Sequence, residues 1–134
     1  MKFIGFEHEI TYPVREQNVY VKIRFPDARV PTSLRLLLDT GAAVTVLDRS
    51  LAKHLNIPKI TGSKDTVDLI LADKSRVKGY VHSVRVEFLG KPMMIDAAFV
   101  PSKEMESLIG MRGFFDKMQV AFDHAARKAY FAFK

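Results

Sequence analysis

An acid at the end of a wholly apolar run, followed at once by Thr-Gly, constrains this chain more than any other stretch: Leu36-Leu37-Leu38-Asp39-Thr40-Gly41-Ala42-Ala43-Val44-Thr45-Val46-Leu47. Leu36 to Leu38 read as a strand buried on both faces, too short and too closely bounded for a helix of ordinary length. Gly41 permits a tight reversal that most residues resist, and Val44 to Leu47 resume an extended, β-branched run. A carboxylate on such a turn is held by backbone on both sides, and burying it is costly unless it is paired or protonated. Asp39 therefore needs a partner. The plainer reading of the same residues is a turn-capping acid, since Asp and Gly are ordinary turn residues.

The rest of the chain reads as many short strands. Phe3 to Tyr12 alternates imperfectly, and Val19 to Phe25 alternates cleanly, with Val19, Val21, Ile23 and Phe25 facing one way and Lys22 and Arg24 the other. Pro26 to Arg29 and Pro31 to Ser33 turn the chain back into the Asp39 strand. Asp48 is placed to cap a short helix running to about Asn56, with Leu51, Ala52 and Leu55 inward and Pro58 as the stop. A polar loop from Lys59 to Asp65 precedes two strands, Val67 to Leu71 and Val77 to Phe88, joined through Ala72-Asp73-Lys74-Ser75 as a hairpin with a polar tip. Leu89 to Pro92 turns into a strand from Met93 to Val100, and Pro101 to Ser107 is a polar connection. Strands over Met118 to Phe122 and Ala129 to Phe133 close the chain around a turn at Asp123 to Lys128. With no repeat, low-complexity tract or Pro/Gly/Ser linker, the pattern predicts a single domain over residues 1–134, mostly β and closed like a barrel, with two short helices.

The Asp39 stretch resembles the active-site loop of the retropepsin-like aspartic proteases, whose motif is Asp-Thr-Gly-Ala or Asp-Thr-Gly-Ser after an apolar strand. Thr45-Val46-Leu47 fit that family's apolar continuation. A second matching segment lies about seventy residues on: Leu108-Ile109-Gly110, then Met111 to Lys117. The family has an apolar-apolar-Gly strand there, threaded beside the active-site loop and followed by a short helix. Both segments, in order and at this spacing, carry the resemblance across roughly Val19 to Phe133. It implies a hairpin flap over the site, here with Leu71, Ala72, Asp73, Lys74 and Ser75 at its tip. Retroviral members have glycine-rich tips and acids just after the tetrad. This chain has no glycine at its tip and carries Ala43 and Val44 in place of those acids.

The chain holds one Asp-Thr-Gly and no room for a second lobe. Aspartic-protease chemistry needs two carboxylates flanking a water, one to take its proton and one to hydrogen-bond the scissile carbonyl. A twofold axis between two copies of Asp39 would supply both, and cyclic dimers are the commonest oligomers. The resemblance thus implies a homodimeric acid endopeptidase acting on extended polypeptide. In it Asp39 is catalytic, Thr40 hydrogen-bonds across the axis, Gly41 offers its carbonyl to substrate, Ala42 keeps the loop narrow, and Leu108, Ile109 and Gly110 form the supporting strand. No metal or other cofactor is implied. The competing expectation is a dimeric peptide-binding module of the same fold that does not cleave.

Composition excludes several other classes. There is no cysteine, so disulfides and thiolate chemistry are out, and cytoplasmic residence is the expectation. The N-terminus meets charge too early for a secretory leader, and no apolar run approaches the roughly eighteen residues of a membrane span. The formal charge is +6, spread along the chain with a local concentration at Lys74, Arg76 and Lys78. Dispersed bases suggest a solvated surface rather than a nucleic-acid partner. His8, His54, His82 and His124 lack metal-ligand spacing. The acids Asp65, Asp68, Asp73, Asp96, Asp116 and Asp123 are expected on solvated turns and strand surfaces.

Overall fold

Alternation decides the first barrel strand. In the computed structural model, which describes residues 5–12 and 18–133, Val21, Ile23 and Phe25 are buried and Lys22 and Arg24 exposed along β2 (Tyr20–Phe25). The other strands are β1 (His8–Thr11), β3 (Thr32–Leu38), β4 (Thr45–Leu47), β5 (Thr66–Ile70), β6 (Arg76–Phe88), β7 (Lys91–Phe99), β8 (Leu108–Ile109), β9 (Met118–Asp123) and β10 (Lys128–Phe133). The first strand expected from sequence thus appears over His8–Thr11, and Phe3 and Ile4 lie outside the described residues.

The larger sheet runs β2-β3-β8-β4-β7-β6-β5, and β2 also pairs with β6, which closes six strands into a barrel. That closing seam is the pair Arg24↔Glu87, whose side chains form an ion pair at 2.9 Å. A smaller sheet, β1-β10-β9, packs against the barrel. Phe88 joins the two, with its ring edge-on to Phe114 at 5.2 Å and to Phe131 at 5.0 Å. Edge-to-face rings of this kind fill a core and add to plain area burial. The mostly-β barrel read from the sequence is the observed fold.

The helices are shorter than the sequence suggested. α1 spans Arg49–His54, and the segment after Gly110 makes only a 3-10 turn at Phe115–Lys117. A further 3-10 turn, Ile60–Gly62, sits inside the expected polar loop. The reason after Gly110 is local: Gly113 takes φ +97 against the backbone of Asp96, which no helix allows. Among the described residues no helix is long and apolar enough to cross a membrane.

Asp48 caps α1 and also ties down the approach to β8. Its Oδ2 accepts from the Ser50 amide at 3.1 Å, its Oδ1 from the Met105 amide at 2.8 Å, and its own amide donates to Ser107 Oγ at 2.9 Å. Replacing Asp48 by alanine should cost about 1–2 kcal/mol of stability, as lost N-caps do. The hydrogen bond from the Ser50 hydroxyl is the main cause holding this carboxyl below its usual value of 3.8. A depressed value stabilises the fold in full above pH 3.8 and is lost as pH falls through the lowered value. Unfolding curves of wild type and Asp48→Ala should therefore converge in strong acid; a constant gap at every pH would contradict this account.

Candidate active site

Asp39 stands where β3 ends, and its amide donates to Ile109 O at 2.9 Å. The turn that follows is closed by backbone and by its own acid: Ala42 N donates to Asp39 O at 3.1 Å and Gly41 N to Asp39 Oδ1 at 3.0 Å. The chain then re-enters the barrel as β4. Strand β8 threads between the two arms of this loop, parallel to β3 through Leu37↔Leu108 and Leu38↔Ile109, and antiparallel to β4 through Val46↔Leu108.

The residues after β8 clamp the loop from below. Met111 N donates to Ala42 O at 2.9 Å, Arg112 N to Ala43 O at 2.9 Å, and Arg112 O accepts from Thr45 N at 3.0 Å. Gly110 makes this approach possible, because a Cβ placed there would lie 2.2 Å from Val44 O and 2.9 Å from Ala42 O. Thr45 is fully buried, and its Oγ1 accepts the Gly110 amide at 3.1 Å. Thr45→Val should leave that buried N–H without an acceptor, at a cost of about 1–3 kcal/mol. Thr45→Ser should restore most of it in urea titrations, and equal losses for both variants would point to packing instead.

Asp39 is half-buried, and Thr40 and Gly41 are exposed. The enclosure expected from the sequence is thus incomplete in a single chain, because the loop presents its outer side to the surface. Leu36 and Leu38 are buried but Leu37 is half-buried, so the strand before the acid is closed on its core face only, where the sequence suggested burial on both.

A second apolar face accompanies the loop. Register places Leu37, Leu108, Val46, Ala98 and Val81 side by side across five strands. These residues stand on the sheet face opposite the main core cluster, to which the adjacent Leu36, Leu38, Leu47, Ala97, Phe99 and Ile109 belong, and Val46, Ala98 and Val81 among them are buried as well. The face continues under the β5–β6 hairpin, where the Gly79 position is closed in by Val67, Leu69 and Ala98.

The hairpin tip, Leu71–Ser75, is built without glycine. Leu71 N donates to Ser75 O at 2.9 Å, Lys74 takes φ 67, and Asp73 Oδ1 accepts both the amide and the hydroxyl of Ser75. Those bonds hold the Asp73 carboxyl below its usual value. No hydrogen bond or ion pair among the described residues joins Leu71, Ala72, Asp73, Lys74 or Ser75 to Asp39.

Four residues near the loop, Arg112, Asp65, Asp96 and Thr45, carry more than their sequence setting suggested. Arg112 forms a fork on Asp65 and lies 4.0 Å from Asp96, so those two acids are ion-paired rather than simply solvated. Thr45 could have been singled out as the lone hydroxyl in an apolar run. The Arg112–Asp65 pair spans 47 residues and leaves no local trace. His82 Nε2 meets Ile60 O at 2.8 Å and Tyr12 Oη meets His124 Nδ1 at 2.9 Å, neither bond involving Asp39. Among the described residues no group of three or more histidines and acids is placed to hold a metal. A concavity of about 700 Å³ beside α1 is lined by Arg49, Lys53, Pro58 and Glu104 among others, and by no residue of the Asp39 loop.

An acid on a tight turn, with a glycine strand threaded behind it, belongs to a known pattern. The profile of the aspartyl proteases matches residues 21–112, which takes in both the Asp39 loop and the Gly110 strand. No curated protein matches the chain. On that match, spread over the greater part of its length, the chain belongs to the retropepsin-like aspartyl protease family.

Proposed function

We propose that the protein is a homodimeric aspartic endopeptidase, in which Asp39 from each of two chains activates the water that hydrolyses a peptide bond. The observation that carries this reading is the presentation of Asp39: fixed by backbone on its inner side, yet open on its outer side, with exposed Thr40 beside it. One carboxylate cannot serve as both base and acid in the same step, so a second copy across a twofold axis completes the site. Two carboxylates about 4 Å apart repel by about 4 kcal/mol at an effective dielectric near 20. Such a pair holds one proton between its members, the known pattern of aspartic proteases. The unprotonated partner then takes a proton from water, while the protonated one donates to the substrate carbonyl.

The apolar face beside the acid bears on the substrate. Leu37 lies two residues before Asp39, and from it the row Leu108, Val46, Ala98, Val81 leads to the hairpin. Val46, Ala98 and Val81 are themselves buried within the chain, which leaves the half-buried Leu37 and Leu108 nearest the surface, and a preference for cleavage between apolar residues is what the family resemblance implies. Ala43 and Val44 offer no side-chain carboxylates to grip the peptide backbone, so retroviral subsite preferences do not carry over. Thr40 would bond to its counterpart across the axis, Gly41 would offer its carbonyl to substrate, and the β5–β6 hairpin would close over the peptide as a flap.

The test is cleavage of an unfolded protein from about pH 3 to 7, with Asp39→Asn beside wild type. Acid activity that disappears in the variant supports the proposal. A dimer that binds peptide without cleaving it would instead make the protein a peptide-binding module. A stable monomer at micromolar concentration would remove the shared site altogether.

A further inference from the structure

We propose that Arg112 is a positioning residue that fixes the root of the β5–β6 hairpin to the Asp39 loop. The backbone of Arg112 is part of the loop's clamp, since its amide donates to Ala43 O at 2.9 Å and its carbonyl accepts from Thr45 N at 3.0 Å. Its guanidinium engages Asp65 instead. Nη2 and Nη1 reach the two carboxylate oxygens of Asp65, the residue immediately before β5. Asp65 in turn is strapped to the second arm of the hairpin, because its carbonyl accepts the Val81 amide at 2.8 Å. Ser63 Oγ completes the root by donating to Val81 O and accepting from Asp65 N at 3.2 Å. One side chain therefore joins the loop that holds the acid to both arms of the hairpin at its root.

Stability is not the reason for this arrangement. Arg112 and Asp65 are 37% and 51% exposed, and exposed ion pairs contribute little to folding. Geometry is what a fork of two N–H groups on one carboxylate supplies, since it fixes orientation as well as distance. Asp96 flanks the guanidinium at 4.0 Å and is itself held by Ser83 Oγ at 3.0 Å, which adds attraction from β7 without a second fork. The effect on catalysis rests on the endopeptidase reading above; the effect on the hairpin root does not.

Two measurements separate these. In Arg112→Gln and Asp65→Asn, hydrogen exchange at the Val81 amide should accelerate about tenfold, with the unfolding midpoint nearly unchanged. The double variant should exchange no faster than either single one, as expected for partners in one contact. For peptide hydrolysis, kcat/KM should fall about tenfold through KM, because a hairpin with a loose root closes less often over substrate. Arg112→Lys, which keeps the charge but loses the fork, should recover only part of both effects. Wild-type exchange at Val81 in Arg112→Gln would overturn the proposal, as would acceleration no greater than the loss of global stability explains. If wild type cleaves nothing, the endopeptidase reading fails and the exchange result still decides the role of Arg112.

Discussion

Replacing Asp39 by asparagine is expected to reduce proteolysis to background and to leave the barrel folded. General acid–base groups contribute about 10²- to 10⁴-fold each, and in a symmetric dimer one substitution removes both. Asparagine keeps the size of the side chain and an oxygen that can accept the Gly41 amide, so the turn has no reason to open. On the proposed dyad the same variant should form a tighter dimer near neutral pH, because two ionised carboxylates about 4 Å apart would repel by about 4 kcal/mol at an effective dielectric near 20. Sedimentation beside wild type measures this, and a weaker mutant dimer would contradict a dyad at the axis. On the endopeptidase reading, activity should be found at the acid end of the pH series and be absent from the variant throughout it.

Gly110→Ala is expected to be among the most destabilising single-methyl additions this chain can suffer. The new carbon would sit 2.2 Å from Val44 O, 2.5 Å from Val44 C and 2.9 Å from Ala42 O. All three are backbone atoms, and Val44 and Ala42 are fixed by the clamp that Met111 and Arg112 complete. No side chain can swing aside to relieve the collision. Overpacking commonly costs about 1–3 kcal/mol, and a collision with fixed backbone belongs at or above about 3 kcal/mol. The relief available is to push β8 out from between β3 and β4, which would dissolve the loop that presents Asp39. Urea unfolding should show the loss beside Gly62→Ala, whose Cβ would meet only Lys59 Cβ at 3.7 Å. Near-equal midpoints for the two variants would mean that the strand crosses with more room than these distances allow.

The sequence made the barrel legible wherever one face of a strand is wet. Lys22 and Arg24 against Val21, Ile23 and Phe25 set both the type and the facing of β2. Asp48 announced its helix because a capping acid before Leu51 and Ala52 is a local signal. The Asp39 loop and the Gly110 strand were visible as motifs, and their residue types fit the turn and the close crossing found there. Less was legible where geometry depends on distant partners. The helix expected over Met111 to Lys117 shrinks to one turn because Gly113 is pressed against Asp96 on β7. Asp65 looked like a solvated loop acid because its arginine lies 47 residues away. The half-exposure of Asp39 could not be read at all, since an apolar strand before an acid says nothing about which side of the turn is left open.

The threading of β8 between β3 and β4 has a consequence for how the protein comes into being. Leu37 pairs with Leu108 and Val46 with Leu108, so the loop bearing the acid is completed by residues some seventy positions later. Contacts of such long sequence separation form late and slowly, because the entropy of closing the intervening chain is lost first. During synthesis, Asp39 emerges long before the segment that clamps it, and until Arg112 is made the acid is only a side chain on an unsupported turn. A growing chain therefore carries the acid without its clamp, and the loop takes its final form only after all six barrel strands have been translated.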